Sequence, residues 1–313
     1  MQTQSWAGCH VPIITPFRDD YSIDEAGLRQ LVNYYIEDVK CDGIVPCGTT
    51  GESPTLDHEE HARVISIVID EVGGRVPVMA GTGSNSTKEA IAMTKHAADM
   101  GVAASLQVCP YYNRPTQDGL LKHFETIAEA TKLPLFIYNI PSRSGRLIEA
   151  KTMIALSQMD HIIGMKDACG DLMVTMEIIR GTRERAKKFY VLCGEDALTF
   201  PMMALGGDGG ILAVSHIVGK EYCEMVHLYL AGEIEASREI HFKTLPLVKA
   251  LFIETNPVPV KEAMTMMGLP AGKVRLPLVP LRPENRELLR QALQQFGIKI
   301  MQRIHGFPES GPH

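Results

Sequence analysis

Residues 162–166 read Ile-Ile-Gly-Met-Lys, a short apolar run that ends in a lysine. Seven further short apolar runs occur along the chain, and longer amphipathic stretches separate them. Most of the runs start roughly 25–35 residues apart, which is the spacing that a strand, a crossover helix and two loops require. Their apolarity is continuous rather than alternating, as in parallel strands that helices cover from outside. The pattern indicates an α/β fold of repeated strand–helix units.

The eight runs are the candidate strands of this fold. They are His10–Thr15, Gly43–Cys47, Val76–Gly81, Ser105–Cys109, Leu135–Asn139, Ile162–Lys166, Tyr190–Gly194 and Gly210–Val214. Eight strands that alternate with helices can close into a (β/α)8 (TIM) barrel or form an open doubly wound sheet. Their number and even spacing favour the barrel.

Two of the intervening helices start with capping-box sequences, Ser22-Ile-Asp-Glu25 and Ser86-Thr-Lys-Glu89. After the first box, the apolar residues of one helix face are Leu28, Leu31, Val32, Tyr35 and Val39.

The strand pattern stops after about residue 230. Ala236–Phe252, Val260–Met267 and Pro283–Phe296 are predicted helices, the last with proline in its first turn. We therefore predict a (β/α)8 barrel over residues 1–232 and a C-terminal helical domain over residues 233–313. The final segment, Gly306–His313, is predicted to be disordered.

Composition excludes several classes of function. The 313 residues are 45% hydrophobic and 22% charged, ordinary values for a globular protein. A net charge of -6 argues against nucleic-acid binding but allows a small anionic substrate. No apolar run is long enough to span a bilayer, and the N-terminus lacks the pattern of a signal peptide. Seven scattered cysteines without a C-x-x-C pair are typical of reduced thiols, so we expect a cytoplasmic protein.

In such a barrel, reactive groups lie at the carboxyl ends of strands, where Lys166 is the unusual residue. The two-residue period of a strand places Ile162, Gly164 and Lys166 on one side, and Gly164 is expected to leave space for the lysine inside the barrel. A lysine must lose its proton to attack a carbonyl, and burial in an apolar barrel favours the neutral amine. The alternative is a strand-end lysine that points to solvent.

Other strand-end patterns also have two interpretations. Tyr138 can relay protons or simply close the barrel core. Gly48-Thr-Thr-Gly-Glu52 offers backbone N–H groups and two hydroxyls to an anion, or is a plain glycine turn. His58-Glu-Glu-His61 is not an H-E-x-x-H motif, so we expect a solvated helix face and no metal. Gly81-Thr-Gly83 lacks the third glycine of a dinucleotide site.

Several longer stretches are distinctive: VPIITPF, GTTGESPTLDHEEH, VMAGTGSNSTKEA, PYYNRPTQDGLLKHF, YNIPSRSG, IIGMKDACGD, GGDGGI, FIETNPVPVKEAM and VRLPLVPL. Together they resemble the dihydrodipicolinate synthase and N-acetylneuraminate lyase superfamily. The resemblance covers nearly the whole chain. It implies a (β/α)8 barrel that uses a Schiff-base lysine and needs no metal or organic cofactor.

The resemblance also implies roles for single residues. Lys166 would form the Schiff base with pyruvate, and Tyr138 would shuttle protons. Thr49 would bridge Tyr138 to Tyr112, which in the family reaches in from a neighbouring subunit. A homo-oligomer, either a dimer or a tetramer, is therefore expected.

Four further residues would hold the substrates. Thr50 would bind the pyruvate carboxylate together with backbone amides, and Gly194 and Ile211 would line the pocket behind the lysine. Arg143 would bind the carboxylate of L-aspartate 4-semialdehyde, a bidentate task that suits a guanidinium. The implied reaction condenses this aldehyde with pyruvate at the entry to the diaminopimelate and lysine pathway.

Members of the family that respond to L-lysine bind it at a subunit interface. The matching residues here are Ser53, Pro54, His58, His61, Asn85, Glu89 and Tyr111. Glu89 and Asn85 can hold an α-ammonium, Tyr111 can donate to a carboxylate, and neutral His61 can accept from a side-chain ammonium. L-Lysine is therefore an expected inhibitor. The alternative is that Glu89 merely completes a capping box and that the two histidines are solvated.

Asp167, Cys169 and the aspartate of the GGDGG segment depart from the residues more usual in the family. Two other functions stay open at this point. A sister pyruvate-dependent aldolase or lyase would act on a sugar acid, which the presence of Arg143 disfavours. A catalytically silent barrel would serve as a ligand sensor or scaffold, which the intact set of Lys166, Tyr138, Thr49 and Tyr112 disfavours.

Overall fold

The structure is a computed structural model that describes residues 4–301. Its strands are β1 (Gly8–Val11), β2 (Gly43–Ile44), β3 (Met79–Gly81), β4 (Ala104–Val108), β5 (Leu135–Asn139), β6 (Ile162–Asp167), β7 (Tyr190–Cys193) and β8 (Gly209–Ile211). All neighbouring pairs are parallel, in the order β2-β1-β8-β7-β6-β5-β4-β3. A parallel bridge between Ile44 and Val78 joins the two ends of this sheet. The predicted (β/α)8 barrel is therefore confirmed.

Each predicted strand overlaps an observed one, but several observed strands end earlier. The run His10–Thr15 pairs only as far as Val11, and Gly43–Cys47 pairs only as far as Ile44. The residues beyond these points remain buried while the backbone turns into the loops at the barrel mouth. Apolarity therefore extends past the hydrogen-bonded ladder, which is why the sequence overestimates strand length.

Twelve α-helices lie in the described part of the chain. They are α1 (Glu25–Asn33), α2 (His58–Val72), α3 (Thr87–Asp99), α4 (Gln117–Thr131), α5 (Pro141–Ser144), α6 (Ala150–Ser157), α7 (Leu172–Thr182), α8 (Thr199–Ala204), α9 (Ser215–Leu230), α10 (Ile234–Leu251), α11 (Val258–Met266) and α12 (Pro283–Phe296). A π-helical turn, Tyr34–Val39, extends α1. Within residues 4–301, no helix combines the length and apolarity that a membrane crossing needs.

Of the two predicted capping boxes, the first is not formed and the second is only half formed. Helix α1 is capped by Asp24, which accepts from the Gly27 N–H, whereas the Ser22 hydroxyl donates to Asp20. Helix α3 is capped by Ser86 as predicted, but the Glu89 carboxylate turns to other partners described below. The prediction of a box at residues 22–25 was wrong because the aspartate inside it can cap the helix itself.

Apolar side chains form two layers around the strands. The inner cluster fills the barrel and contains Trp6, Val45, Met79, Leu106, Phe136, Tyr138, Leu192 and Ile211 among its buried members. The outer cluster lies between the strands and the helices, and it includes all five residues of the predicted apolar face of α1 and its extension. The strands are therefore buried on both sides, as continuous apolar runs require.

Helices α10, α11 and α12 correspond to the three predicted C-terminal helices. They pack on one another, and α10 and α11 also pack on α9. The predicted boundary between residues 232 and 233 falls in the short connection between α9 and α10. The division into two domains stays a prediction, and the segment predicted to be disordered lies outside the described residues.

Candidate active site

Lys166 and Tyr138 lie side by side because β5 and β6 are neighbours in parallel register. The ladder pairs Tyr138 directly with Lys166. The Lys166 Nζ atom lies 4.4 Å from the centroid of the Tyr138 ring. Both side chains are buried, with 6% and 5% of their surface exposed. The alternative of a lysine that points to solvent is therefore wrong, and an amine and a phenol share the inside of the barrel.

The space for the lysine comes from Gly194, not from Gly164. A Cβ atom on Gly194 would lie 2.6 Å from Cε of Lys166 and 2.9 Å from its Cγ. A Cβ atom on Gly164 would instead meet the Phe136 ring and would lie 2.7 Å from the Tyr190 carbonyl oxygen. The expected role of Gly164 was wrong because a neighbouring strand's aromatic ring fills that position. Gly194 follows β7 directly and leaves room for the Lys166 side chain.

The loop after β2 brings its two threonines to different depths. Thr49 and Gly48 line the main cavity, which is also lined by Tyr138 and Arg143. Thr50, in contrast, is only 4% exposed. The Thr50 Oγ1 atom accepts a hydrogen bond of 2.9 Å from Nδ2 of Asn256. No hydrogen bond joins Thr49 to Tyr138 or Tyr112 within residues 4–301. The Tyr112 side chain is 92% exposed, so this chain alone does not assemble the expected relay.

A buried ion pair anchors the end of this loop. Glu52 accepts a 2.6 Å bond from Nζ of Lys261 in α11, and both side chains are at most 2% exposed. The second Glu52 oxygen accepts from the Arg275 N–H at 3.0 Å, and the lysine also donates to the Lys273 carbonyl oxygen at 2.7 Å. Burial lowers the pKa of Lys261 to about 8. No local pattern in the sequence pointed to this pair, because its partners are 209 residues apart.

Arg143 lies at the mouth of the barrel, in the short helix α5 that follows β5. It lines the same cavity as Tyr138 and Thr49. Its Nη2 atom donates to the backbone carbonyl oxygen of Asn256 at 3.1 Å. Asn256 thus contacts both Arg143 and Thr50, although the sequence assigned it no role.

Two buried carboxyl groups lie near Lys166, one of them on Asp167, the next residue in β6. Asp196 is 2% exposed and accepts a 2.6 Å bond from the Val214 N–H. Burial raises the pKa of Asp196 to about 7, and the Lys166 ammonium opposes that rise. Asp167 is fully buried and accepts from the Thr175 hydroxyl at 2.6 Å, and burial also raises its pKa. Ile211 of β8 is buried in the same inner cluster as Tyr138.

The main cavity has a volume of about 540 Å³ and continues beyond Tyr138 to a second group of polar residues. Its far end is lined by Ser53, Pro54, His58, His61, Glu89 and Tyr111. The Glu89 carboxylate accepts from the Ser84 hydroxyl and lies 3.3 Å from Nε2 of His58. The Asn85 side chain donates to the Tyr111 carbonyl oxygen at 3.1 Å. All seven residues matched to the lysine site therefore lie at or beside one end of this cavity.

The two histidines of this region differ in burial. His58 is exposed, as a solvated helix face requires, but His61 is only 7% exposed. The solvated interpretation was therefore wrong for His61. Its Nε2 lies 2.8 Å from the Gly81 carbonyl oxygen, so Nε2 carries the proton and Nδ1 is left as the acceptor. Burial lowers the pKa of His61, which favours this neutral ring.

Comparison with known proteins places this geometry in a family. A model of the dihydrodipicolinate synthetase family matches residues 5–296. The 4-hydroxy-tetrahydrodipicolinate synthase of Methanocaldococcus jannaschii is 48% identical over 292 residues, which cover 93% of this chain and 99% of that protein.

Two solved structures superpose on nearly the whole molecule. Dihydrodipicolinate synthase from Acinetobacter baumannii, complexed with pyruvate, has a TM-score of 0.91 at 41% identity and covers 94% of this chain and 100% of its own. The enzyme from Cyanidioschyzon merolae with lysine bound has a TM-score of 0.89 at 37% identity and covers 94% and 99%. The chain belongs to the dihydrodipicolinate synthetase family.

Proposed function

We propose that this enzyme condenses pyruvate with L-aspartate 4-semialdehyde to 4-hydroxy-tetrahydrodipicolinate, with Lys166 as the Schiff-base nucleophile. The observation that carries the proposal is the Lys166 amine, buried beside the Tyr138 ring at the carboxyl end of β6. The matching relative carries the name of a 4-hydroxy-tetrahydrodipicolinate synthase. Since the seven cysteines are all free, we place this reaction in a reducing compartment, the cytoplasm.

The chemistry needs no metal or organic cofactor because the protonated imine is itself the electron sink. The neutral Lys166 amine attacks the keto carbon of pyruvate, and loss of water gives the imine. Loss of a methyl proton then gives an enamine, which adds to the aldehyde carbon of the second substrate. Cyclisation through the amino group of that substrate releases the product and frees the lysine. Tyr138, whose ring centroid lies 4.4 Å from Lys166 Nζ, carries protons between these steps in this proposal.

The two carboxylates of the substrates have separate partners. Thr50 and the backbone N–H groups of residues 48–50 receive the pyruvate carboxylate, since the N–H groups of Gly51 and Glu52 already donate to the carbonyl oxygens of Gly48 and Thr49. Arg143, exposed at the mouth, receives the carboxylate of the aldehyde substrate through the N–H groups that it does not give to Asn256. Gly194 and Ile211 form the wall behind the imine.

Borohydride trapping tests the nucleophile. Pyruvate and borohydride are expected to add one reduced pyruvyl group to the peptide that contains Lys166, measured by intact mass and peptide mapping. Lys166→Arg keeps the charge but cannot form an imine, so it should lose the adduct. The matched control Lys188→Arg replaces a lysine that is 58% exposed and should retain the adduct. An adduct on any other lysine would refute the mechanism.

We also propose that the enzyme is a homo-oligomer, a dimer or a tetramer. The large, 92% exposed Tyr112 has no partner within residues 4–301 of its own chain for the expected relay. Aromatic side chains exposed to this extent are typical of interfaces. Tyr112 would complete the relay with Thr49 and Tyr138 in a second subunit.

L-Lysine is the proposed inhibitor, bound at the end of the cavity formed by Ser53, Pro54, His58, His61, Asn85, Glu89 and Tyr111. Glu89 supplies a carboxylate for the α-ammonium, and Nδ1 of neutral His61 can accept from the side-chain ammonium. The same cavity is also lined by Tyr138 and Arg143, and Tyr111 is adjacent in sequence to Tyr112. A coupling of roughly 1–3 kcal/mol between the two ends would give visible inhibition.

Titration of L-lysine against the condensation rate at saturating pyruvate tests this site. We expect inhibition of the wild type at millimolar lysine, and a loss of affinity of about tenfold or more in Glu89→Ala, since a charge-assisted bond is removed. The matched control is Glu59→Ala, which removes an exposed carboxylate of α2 that does not line the main cavity. Equal inhibition of the wild type and Glu89→Ala would rule out the proposed site.

A further inference from the structure

Asn256 connects the C-terminal helices to the catalytic barrel at two points. It lies between α10 and α11, and only 7% of its surface is exposed. Its side-chain Nδ2 donates to Thr50 Oγ1 at 2.9 Å, across 206 residues of sequence. Its backbone carbonyl oxygen accepts from Nη2 of Arg143 at 3.1 Å. One buried residue therefore contacts both groups that are proposed to hold the substrate carboxylates.

The side-chain contact determines what the Thr50 hydroxyl can do. A hydroxyl has one proton to donate and two lone pairs that accept. The Asn256 N–H occupies one lone pair, so the single Thr50 proton remains free for a different acceptor. Within residues 4–301, Thr50 Oγ1 has no other hydrogen-bond partner. The hydroxyl is thus held as an unused donor at a site that is 4% exposed.

The other end of the amide is unpaired. Asn256 Oδ1 is buried and has no hydrogen-bond partner in the described part of the chain. A buried amide that serves only to hold a turn normally satisfies both of its ends locally. The only side-chain hydrogen bond of this amide within residues 4–301 goes to Thr50. The amide is therefore oriented toward the barrel loop and does not stabilise the segment between α10 and α11.

We infer that Asn256 is a positioning residue that fixes the Thr50 hydroxyl as a donor toward the carboxylate of pyruvate. The inference rests on the proposed function, because Thr50 is the proposed partner of that carboxylate. A side-chain substitution leaves the backbone carbonyl that holds Arg143 in place. It therefore affects the pyruvate end of the site and spares the aldehyde end.

Steady-state kinetics and borohydride trapping of Asn256→Ala and Asn256→Asp test the inference. We expect Asn256→Ala to raise KM for pyruvate roughly three- to tenfold, as the loss of one oriented hydrogen bond would. Asn256→Asp is nearly isosteric but can only accept, so it draws the Thr50 proton away from pyruvate, and its KM for pyruvate should rise further. The pyruvate concentration that gives half-maximal trapped adduct should rise in parallel. KM for L-aspartate 4-semialdehyde should stay within about twofold of the wild type.

A matched control distinguishes positioning of the Thr50 hydroxyl from general stabilisation of the segment between α10 and α11. Asn285→Ala removes an amide that holds the same segment through Glu254 at 2.7 Å but reaches neither Thr50 nor Arg143. It should leave both KM values unchanged. In a Thr50→Val background the Asn256 amide has no hydroxyl to orient, so Asn256→Ala should add no further rise in KM for pyruvate.

The outcomes distinguish this inference from the proposed function. If the wild type gives no trapped pyruvate adduct, the proposed function fails. If the wild type traps pyruvate, three results would overturn the inference alone: an unchanged KM for pyruvate in both Asn256 variants, equal rises for the two substrates, or full additivity with Thr50→Val.

Discussion

At the scale of single residues, the proposed nucleophile Lys166 depends for its space on one glycine that precedes a loop. Gly194 follows β7, and the aliphatic part of Lys166 occupies the space that a side chain at position 194 would need. The two-residue period of β6 correctly predicts that Lys166 and Gly164 face the same way. It cannot predict which neighbouring side chain fills the space at each position, since that depends on strands far away in the sequence. The sequence therefore indicated the lysine but assigned its space to the wrong glycine.

Alanine substitutions at Gly194 and Gly164 should have different effects, the first on pyruvate trapping and the second on stability. In Gly194→Ala the new methyl group would displace Lys166, so the rate of pyruvate trapping should fall at least about tenfold, while thermal stability changes little because the lysine stem can move. In Gly164→Ala the methyl group meets the Phe136 ring and a backbone carbonyl. That overpacking should lower the free energy of unfolding by about 1–3 kcal/mol. Trapping kinetics and denaturant unfolding provide the two measurements, and a wild-type trapping rate in Gly194→Ala would contradict the first expectation.

At the scale of elements, the loop after β2 is held from outside the barrel. Glu52 ends this loop, and its carboxylate is shared by Lys261 of α11 and by the Arg275 N–H. Taking two charges out of water is costly, and the pair offsets that cost only while both partners are present. The C-terminal helices therefore help to determine the conformation of the loop that carries Thr49 and Thr50.

Glu52→Gln should be strongly destabilising because it leaves the Lys261 ammonium buried and unpaired. Breaking such a pair typically lowers the free energy of unfolding by about 3–5 kcal/mol, which thermal or urea unfolding would measure. The matched control Glu60→Gln removes a carboxylate that is 27% exposed and pairs with Arg275. It should cost about 1 kcal/mol or less. The double variant Glu52→Gln/Lys261→Met should regain much of the loss, and a double variant no more stable than Glu52→Gln would contradict this account.

The contacts between the C-terminal helical region and the loop after β2 could not be predicted from the sequence. Helices and strands follow local periodicity, so α12 and β5 were predicted with their observed bounds. The contacts of Asn256 with Thr50 and of Lys261 with Glu52 join residues 206 and 209 positions apart. Neither contact has a local pattern. In the sequence, the stretch FIETNPVPVKEAM carries only a family resemblance. In the structure, its Asn256 contacts Thr50 and its Lys261 contacts Glu52.

At the scale of the whole molecule, the proposed relay would be divided between two chains. Tyr112 is 92% exposed and forms no hydrogen bond with Thr49 within residues 4–301. Its φ of 70° places the backbone in the left-handed region, which is uncommon for a bulky residue and often occurs at functional positions. If a second subunit receives this side chain, each active site contains residues from two copies.

Complementation between two inactive variants tests the shared site. Lys166→Arg lacks the nucleophile, and Tyr112→Phe lacks the phenol. In a mixed dimer, one of the two sites combines an intact Lys166 with an intact Tyr112 from the other chain. Random pairing after co-expression should therefore restore about a quarter of the wild-type activity, because half of the dimers are mixed and each has one complete site. Activity no greater than the sum of the separate variants would mean that Tyr112 acts within its own chain or not at all.

The long-range anchoring of the loop after β2 also has a consequence for biosynthesis. A nascent chain emerges from the ribosome with Thr50 and Glu52 long before Asn256 and Lys261 exist, since more than 200 residues separate them. Until Lys261 has been translated, the carboxylate of Glu52 has no buried cation as its partner and must stay hydrated. Loop closure over such a distance is entropically costly and comes late in folding. Prematurely terminated chains would thus contain Lys166 and Tyr138 but lack the contacts that hold the proposed carboxylate-binding loop, so we expect activity only after the C-terminal region has been translated.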